Sequence, residues 1–284
     1  MRLFWLPLCG WLCAAAAPGA GGELEQARRH YQRTEYREAI ALLSPLPRKE
    51  AAAWELLGKA WYMEGDYKKA SQCFEQAVAA EPGNARFHHW LGRAYGRRAE
   101  TSSFLTAPGL ARKAREHFEK AVRLDPDNIE AVNDLFEYYL QAPGFLGGGL
   151  EKAEALLERI GRLDPAERHC AEARLAEKRR EFSRAEQHLR KALEQAPRQL
   201  GRVIDLAKFL ARQRRFEESE ALLAQAERIA PGSPRLKFER AAIYIEAGRN
   251  LDEARRLLRE YLAAPLTPED PPRRQAEQLL KQLS

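Results

Sequence analysis

Val, Ile and Thr number only four, seven and four in this chain of 284 residues. β-Branched side chains suit the pleated, half-buried surface of a sheet, so their shortage excludes an all-β or a doubly wound α/β fold. Cysteine is short too: of four, Cys9 and Cys13 stand in an N-terminal leader-like stretch, leaving Cys73 and Cys170. Two are too few for a disulfide framework and read as free thiols. Catalytic signatures are missing: there is no His-Glu-x-x-His, no Gly-x-Ser-x-Gly, no paired-Cys spacing and no dinucleotide fingerprint. The six histidines, His30, His88, His89, His117, His169 and His188, are scattered along the chain. The expectation is a non-enzymatic chain with no cofactor and no metal.

What is present is rich in Ala, Leu, Glu, Arg, Gln and Lys, the strong helix formers, with 45% hydrophobic residues for a core. The prediction is all-α. Sixteen Pro and eighteen Gly spread through that composition imply helices that are short and numerous.

The opening MRLFWLPLCGWLCAAAAPGA carries Arg2, an apolar run from Leu3 to Ala17 and small residues before a polar start. It reads as a cleaved signal peptide over residues 1–20 rather than an N-terminal anchor, since a spanning helix needs roughly twenty apolar residues. That predicts export to the periplasm or beyond and leaves no transmembrane span in the mature chain. The formal charge of +6 favours acidic partners or anionic surfaces, and export argues against nucleic acid.

The stretch WELLGKAWYMEGDYKKASQCFEQAVAAEP begins at Trp54. Trp54, Leu57, Gly58 and Trp61 lie at helical spacing, Gly65 and Asp66 turn the chain, and Ala70, Phe74 and Ala77 mark a second helix ended by Pro82. This resembles the tetratricopeptide repeat. A small residue recurs at Ala39, Ala70, Ala114, Ala153, Ala185, Ser219 and Ala254, spaced by 31, 44, 39, 32, 34 and 35. Prolines follow at Pro82, Pro126, Pro165, Pro197, Pro231 and Pro265. Two short helices cannot bury their shared face alone, whereas stacked pairs can. The resemblance therefore implies a right-handed α-solenoid over 22–268, with repeats near 22–50, 51–84, 85–128, 129–165, 166–199, 200–233 and 234–268, and a capping helix in 269–284. The fifth repeat departs from the pattern, with Glu172 and Ala173 where Leu and Gly are expected. The stretch from LGRAYGRRAE to YYLQAPGFLGGGLEKA is similar to exported bacterial proteins of this family.

Repeats three and four carry about ten and about five residues beyond the usual 34, between their paired helices. These are Arg97 to Ala114 and Leu140 to Ala153, each with an Ala-Pro-Gly and an exposed-looking pair, Phe104-Leu105 and Phe145-Leu146. They read either as a lip that touches a ligand or as two loops packed on each other. Gly144, Gly147, Gly148 and Gly149 suggest a phosphate cradle, but no strand precedes them and no Gly-Lys-Ser/Thr follows.

In the family the first helix of each repeat lines the concave surface. Lys59, Arg93, Arg174 and Lys208 follow the small residue of their first helices, and Arg97, Lys178 and Arg212 extend the stripe one turn on. Co-chaperone relatives grip a terminal carboxylate with Lys and Asn; here the places hold Glu55 and Lys59, then His89 and Arg93, which departs from that clamp. The expected function is a protein-binding scaffold that takes an acidic segment in the groove. The alternative is an envelope binder of anionic polymer or glycan. Partner identity and oligomeric state are not encoded in any motif.

Overall fold

The computed structural model describes residues 20–47 and 49–283. The predicted leader lies, but for its last residue, outside the described residues. Among the described residues there are sixteen α-helices and no strand. They follow one another as seven pairs: α1 (Ala20–Gln32) with α2 (Tyr36–Leu43), α3 (Ala51–Met63) with α4 (Tyr67–Ala80), and α5 (Ala85–Thr101) with α6 (Ala107–Leu124). Next come α7 (Ile129–Gln141) with the broken helix α8 (Leu150–Glu154) and α9 (Leu157–Leu163), then α10 (Pro165–Lys178) with α11 (Phe182–Gln195). The last pairs are α12 (Leu200–Arg212) with α13 (Phe216–Ile229) and α14 (Pro234–Ala247) with α15 (Leu251–Ala263), closed by α16 (Arg273–Gln282).

The recurring small residue is what lets each pair form. Ala39, Ala70, Ala114, Ala153, Ala185 and Ala254 are wholly buried, and Ser219 nearly so. Ser219 meets its burial cost by donating Oγ–H to the Ala207 carbonyl at 2.9 Å. Four residues on from each marker stands a large side chain that fills the pair: Leu43, Phe74, Phe118, Leu157, Leu189, Leu223 and Leu258, all buried. Burying one such side chain contributes about 1.5–3 kcal/mol.

Helix starts are capped by short polar side chains. Asp66, Asn84, Asn128, Asp164 and Ser233 each accept a hydrogen bond from a first-turn backbone N–H. Pro165 differs from its expected role as a helix stop: Asp164 caps α10 and Pro165 is its first residue, where the missing N–H costs nothing.

The insertions also differ from expectation. The first is mostly helix, lengthening α5 and α6 and leaving only residues 102–106 between them. The second folds as a single 3-10 turn, Gly144–Leu146, and the glycines after it answer to steric need. Gly147 has φ of +86°, and a Cβ at Gly148 would stand 1.8 Å from the Ala142 carbonyl oxygen. Their N–H groups are used internally: Gly147 donates to Gly144, Gly148 to Pro143 and Gly149 to Tyr139. No phosphate cradle is formed there.

Four of the six consecutive pairs of first helices touch, α1 with α3, α3 with α5, α7 with α10 and α12 with α14, while consecutive second helices share no comparable contact. An array crowded on one side bends toward that side, so the first helices form its concave layer. The curl brings the ends together. Arg274 on α16 donates to the Glu64 carbonyl at 2.6 Å and lies over Gly65, in the turn between α3 and α4. Ala276 on α16 is fully buried, with Leu279, Leu280 and Leu283 packed on the last pair.

Cys73 and Cys170 are buried free thiols, each pushed up to about 11 by burial. No helix of the described residues is long and apolar enough to cross a membrane.

The closest helix approaches give a stability test. A Cβ at Gly58 would lie 2.8 Å from the Phe74 ring, and one at Gly92 2.7 Å from Phe118. Gly58→Ala and Gly92→Ala should each cost about 1–3 kcal/mol in urea unfolding. Gly96→Ala, on α5 with open space around it, should instead stabilise by up to about 1 kcal/mol.

Candidate binding groove

Every basic residue of the expected stripe has a polar partner. Lys59 pairs with Glu55 at 2.6 Å, and Arg93 with Asp134 at 3.5 Å. Arg174 reaches Glu167 at 2.5 Å, Lys208 reaches Glu239 at 2.5 Å and Arg212 reaches Glu177 at 2.7 Å. Arg97 pairs with Glu100, and Lys178 donates to the Gln141 amide oxygen at 3.0 Å. The pairs of Arg93, Lys208 and Arg212 and the bond of Lys178 each cross from one repeat to the next. The concave face is thus a ladder of alternating charge. The acidic partners also stand on first helices, some of them in the neighbouring repeat, and their register across repeats is visible only in three dimensions.

The ladder is deepest in repeats five and six. Arg202, only 7% exposed, donates to Glu167 at 2.6 Å and Asp164 at 3.4 Å, and lies 3.0 Å from the Cys170 sulfur. Asp205 beside it is raised by burial, against the pull of Lys208, Arg174 and Arg202. In repeat two Glu55 is buried between Lys59 and Arg86. His89, at the second clamp position, hydrogen-bonds Asp134 at 2.7 Å and so is committed internally.

The groove also holds aromatic surface. Arg93 lies over the Trp90 ring at 4.6 Å and the Tyr62 ring at 5.7 Å, and Arg97 over Tyr67 at 5.2 Å. These stacked guanidinium groups border a cavity of about 400 Å³. Its floor is Tyr62, Phe118, Tyr138 and Leu146, and its polar wall includes Asp134 and Glu137. Glu137 Oε2 is buried without a hydrogen bond, its nearest cation being Arg174 at 3.9 Å. Both insertions line the cavity, the first through Ala111 and Ala114 and the second through Pro143 and Leu146. The two insertions thus border one cavity.

Leu146 corrects one expectation. It is 8% exposed, and its carbonyl accepts from Tyr138 at 2.9 Å and Arg115 at 3.1 Å, so it is cavity floor rather than lip. Phe104, Leu105 and Phe145 are 83%, 76% and 75% exposed, so these tips do not shield one another. A larger hollow of about 680 Å³ lies at the turns of repeats six and seven, but Arg214, Arg215, Glu217, Glu218 and Glu220 make it a charged, solvated rim.

Four of the six histidines meet in pairs. His88 stacks on His117 with Nδ1 atoms 2.9 Å apart, and His169 lies against His188 at 3.3 Å. The sequence separations, 29 and 19 residues, hide these pairs unless both helices of a repeat are put in register.

Two tetratricopeptide repeat family models match, over residues 51–84 and 175–237. No curated protein matches the chain. A tetratricopeptide repeat protein from Parabacteroides merdae superposes with a TM-score of 0.58 at 15% identity, covering 93% of this chain and 98% of its own. A thermophilic repeat protein of Thermus thermophilus gives 0.54 at 23% identity, covering 67% and 98%. At these identities the likeness is one of fold.

Burial pushes His117 down to about 4 and also lowers His88, with Lys113, Lys120 and Arg123 nearby adding to the effect. The unfolded chain therefore takes up protons near pH 6.5 that the folded pair resists, and stability falls as pH drops from about 6.5 toward 4. His117→Leu should flatten that part of the pH dependence of the urea midpoint.

Proposed function

The chain is a tetratricopeptide repeat protein, and from that premise we propose that it is a non-catalytic scaffold capturing a short segment of a partner protein at the junction of repeats three and four. Repeats of this family generally mediate protein–protein interaction. The observation that carries the reading is the cavity that joins the concave face to both insertions. Its size falls in the range of about 300–1,000 Å³ that suits a ligand anchor.

The lining defines the chemistry of the segment. An aromatic or branched aliphatic side chain fills the floor of Tyr62, Phe118 and Tyr138. A carboxylate beside it meets Arg93 and Arg97, whose guanidinium groups are held on ring faces and lose little freedom on binding. A backbone or side-chain N–H serves Glu137 Oε2. The acidic character of the partner is thus local to two arginines. There it displaces Asp134 from Arg93 and Glu100 from Arg97, and along the rest of the groove an incoming carboxylate must compete with Glu167, Glu177 and Glu239. That competition weighs against an anionic polymer or glycan, which needs a run of uncompensated cations. Export remains part of the proposal on the strength of the leader pattern, and N-terminal sequencing of the protein from its host should find a chain beginning near residue 21.

The test is selection of random displayed peptides on the full chain. Enriched peptides should carry an apolar anchor within a few residues of Asp or Glu. Ala111→Trp, which fills the cavity, and the double reversal Arg93→Glu with Arg97→Glu should each weaken the selected peptides by more than about tenfold, a hot-spot-sized loss. Enrichment of basic peptides, or binding unchanged in Ala111→Trp, would overturn the reading.

A further inference from the structure

Repeat five contains a departure that its role in the array does not explain. The residue before the small one in the first helix is Leu57, Leu91 and Leu206 in repeats two, three and six, and Leu135 holds the same place before Phe136 in repeat four, each buried. In repeat five it is Glu172. Repeats one and seven, at the ends of the array, hold Gln26 and Arg240 there. A carboxylate at a position that repeats two, three, four and six fill with buried leucine carries a desolvation cost unless it is given partners.

Its partners are two histidines. His169 precedes Glu172 by three residues on α10, so both side chains share one face. His188 comes from the facing side of α11. Glu172 Oε2 lies 2.9 Å from His169 Nδ1 and 2.9 Å from His188 Nδ1, and the two nitrogens are 3.3 Å apart. A four-coordinate zinc ion with bonds of about 2.0–2.1 Å sets its ligand atoms about 3.3 Å apart. The triangle already has that size to within a few tenths of an ångström. Both Nδ1 atoms approach the same carboxylate oxygen, so in the other tautomer their lone pairs converge on one point.

The surroundings suit ligation. Arg168 donates to Glu172 Oε1 at 3.1 Å, holding the second oxygen and leaving Oε2 to the histidines, the orienting role outer-shell partners play at metal sites.

Repeat three supplies an internal contrast. His88 stands three before Leu91, and His117 three after Ala114; His169 stands three before Glu172, and His188 three after Ala185. The two histidine pairs occupy the same register. Only repeat five adds a carboxylate, and among the described residues only His169, Glu172 and His188 group three metal-capable ligands.

We propose that His169, Glu172 and His188 form a binding site for a divalent first-row transition ion, zinc in preference, linking α10 to α11 with the fourth position left to water. Two imidazoles and one carboxylate match zinc in both donor type and geometry.

The test uses the tag-free full chain stripped of metal by a chelator. Zn²⁺ titrated by calorimetry should bind with one equivalent, and Co²⁺ should give the intense visible absorption of a four-coordinate complex that Zn²⁺ then abolishes. Glu172→Leu installs the side chain of repeats two, three, four and six and should retain helical circular dichroism while weakening Zn²⁺ at least tenfold, with Glu172→Gln as a second, more conservative variant. His188→Leu should do the same, and His117→Leu should leave binding unchanged. Absence of Zn²⁺ uptake by the unaltered chain, unchanged uptake in both Glu172 variants, or loss in His117→Leu would overturn the assignment. None of these outcomes depends on the peptide site in repeats three and four.

Discussion

Everything in this molecule depends on how closely two helices can approach at one small residue. Where Gly58 faces Phe74 and Gly92 faces Phe118, the ring occupies the space a Cβ would need. The buried alanines that open the second helices do the same work from the other side. That approach sets the tilt within a pair, and the tilt repeated seven times bends the array so that first helices crowd one another. The concave face, the ion-pair ladder and the cavity are all consequences of that crowding.

The ladder shows how a basic face can exist without a strongly positive field. Arg93, Lys208 and Arg212 each reach a carboxylate of a neighbouring repeat, so the charges that would draw a ligand also tie one repeat to the next. Partly exposed pairs of this kind contribute little stability individually, on the order of 0–1 kcal/mol. Their effect is on choice of partner, because a ligand must offer a better arrangement than the one already in place. Arg93 and Arg97 stand apart through their stacking on Trp90, Tyr62 and Tyr67, which keeps their planar faces oriented whether or not a carboxylate is near.

The fold was legible because the repeat marks itself with residues whose role is local: Ala70, Phe74, Asp66 and Asn84 act within a few residues of where they stand. Length beyond the repeat showed where the insertions fall but not their form, since Ala107-Pro108-Gly109 serves equally as a turn or as the first turn of α6. The site was less legible for a different reason. Bases can be read one helix at a time, whereas Asp134, Glu177 and Glu239 matter through side chains that arrive from the next repeat. Leu146 looks like Leu105 in sequence; only the hydrogen bonds from Tyr138 and Arg115 to its carbonyl turn it inward. The histidine pairs were hidden likewise, and Glu172, visible as an irregularity, had no meaning until α11 supplied His188.

A solenoid is ordinarily a one-dimensional object, each unit coupled only to its neighbours, so that disorder can spread from either end at little cost to the middle. The hydrogen bond from Arg274 to the Glu64 carbonyl joins residues 210 apart and breaks that rule. Fraying of the last helix then loosens the turn of the second repeat as well. The two ends are no longer independent, and unfolding acquires a long-range, higher-contact-order component that a linear chain of repeats lacks.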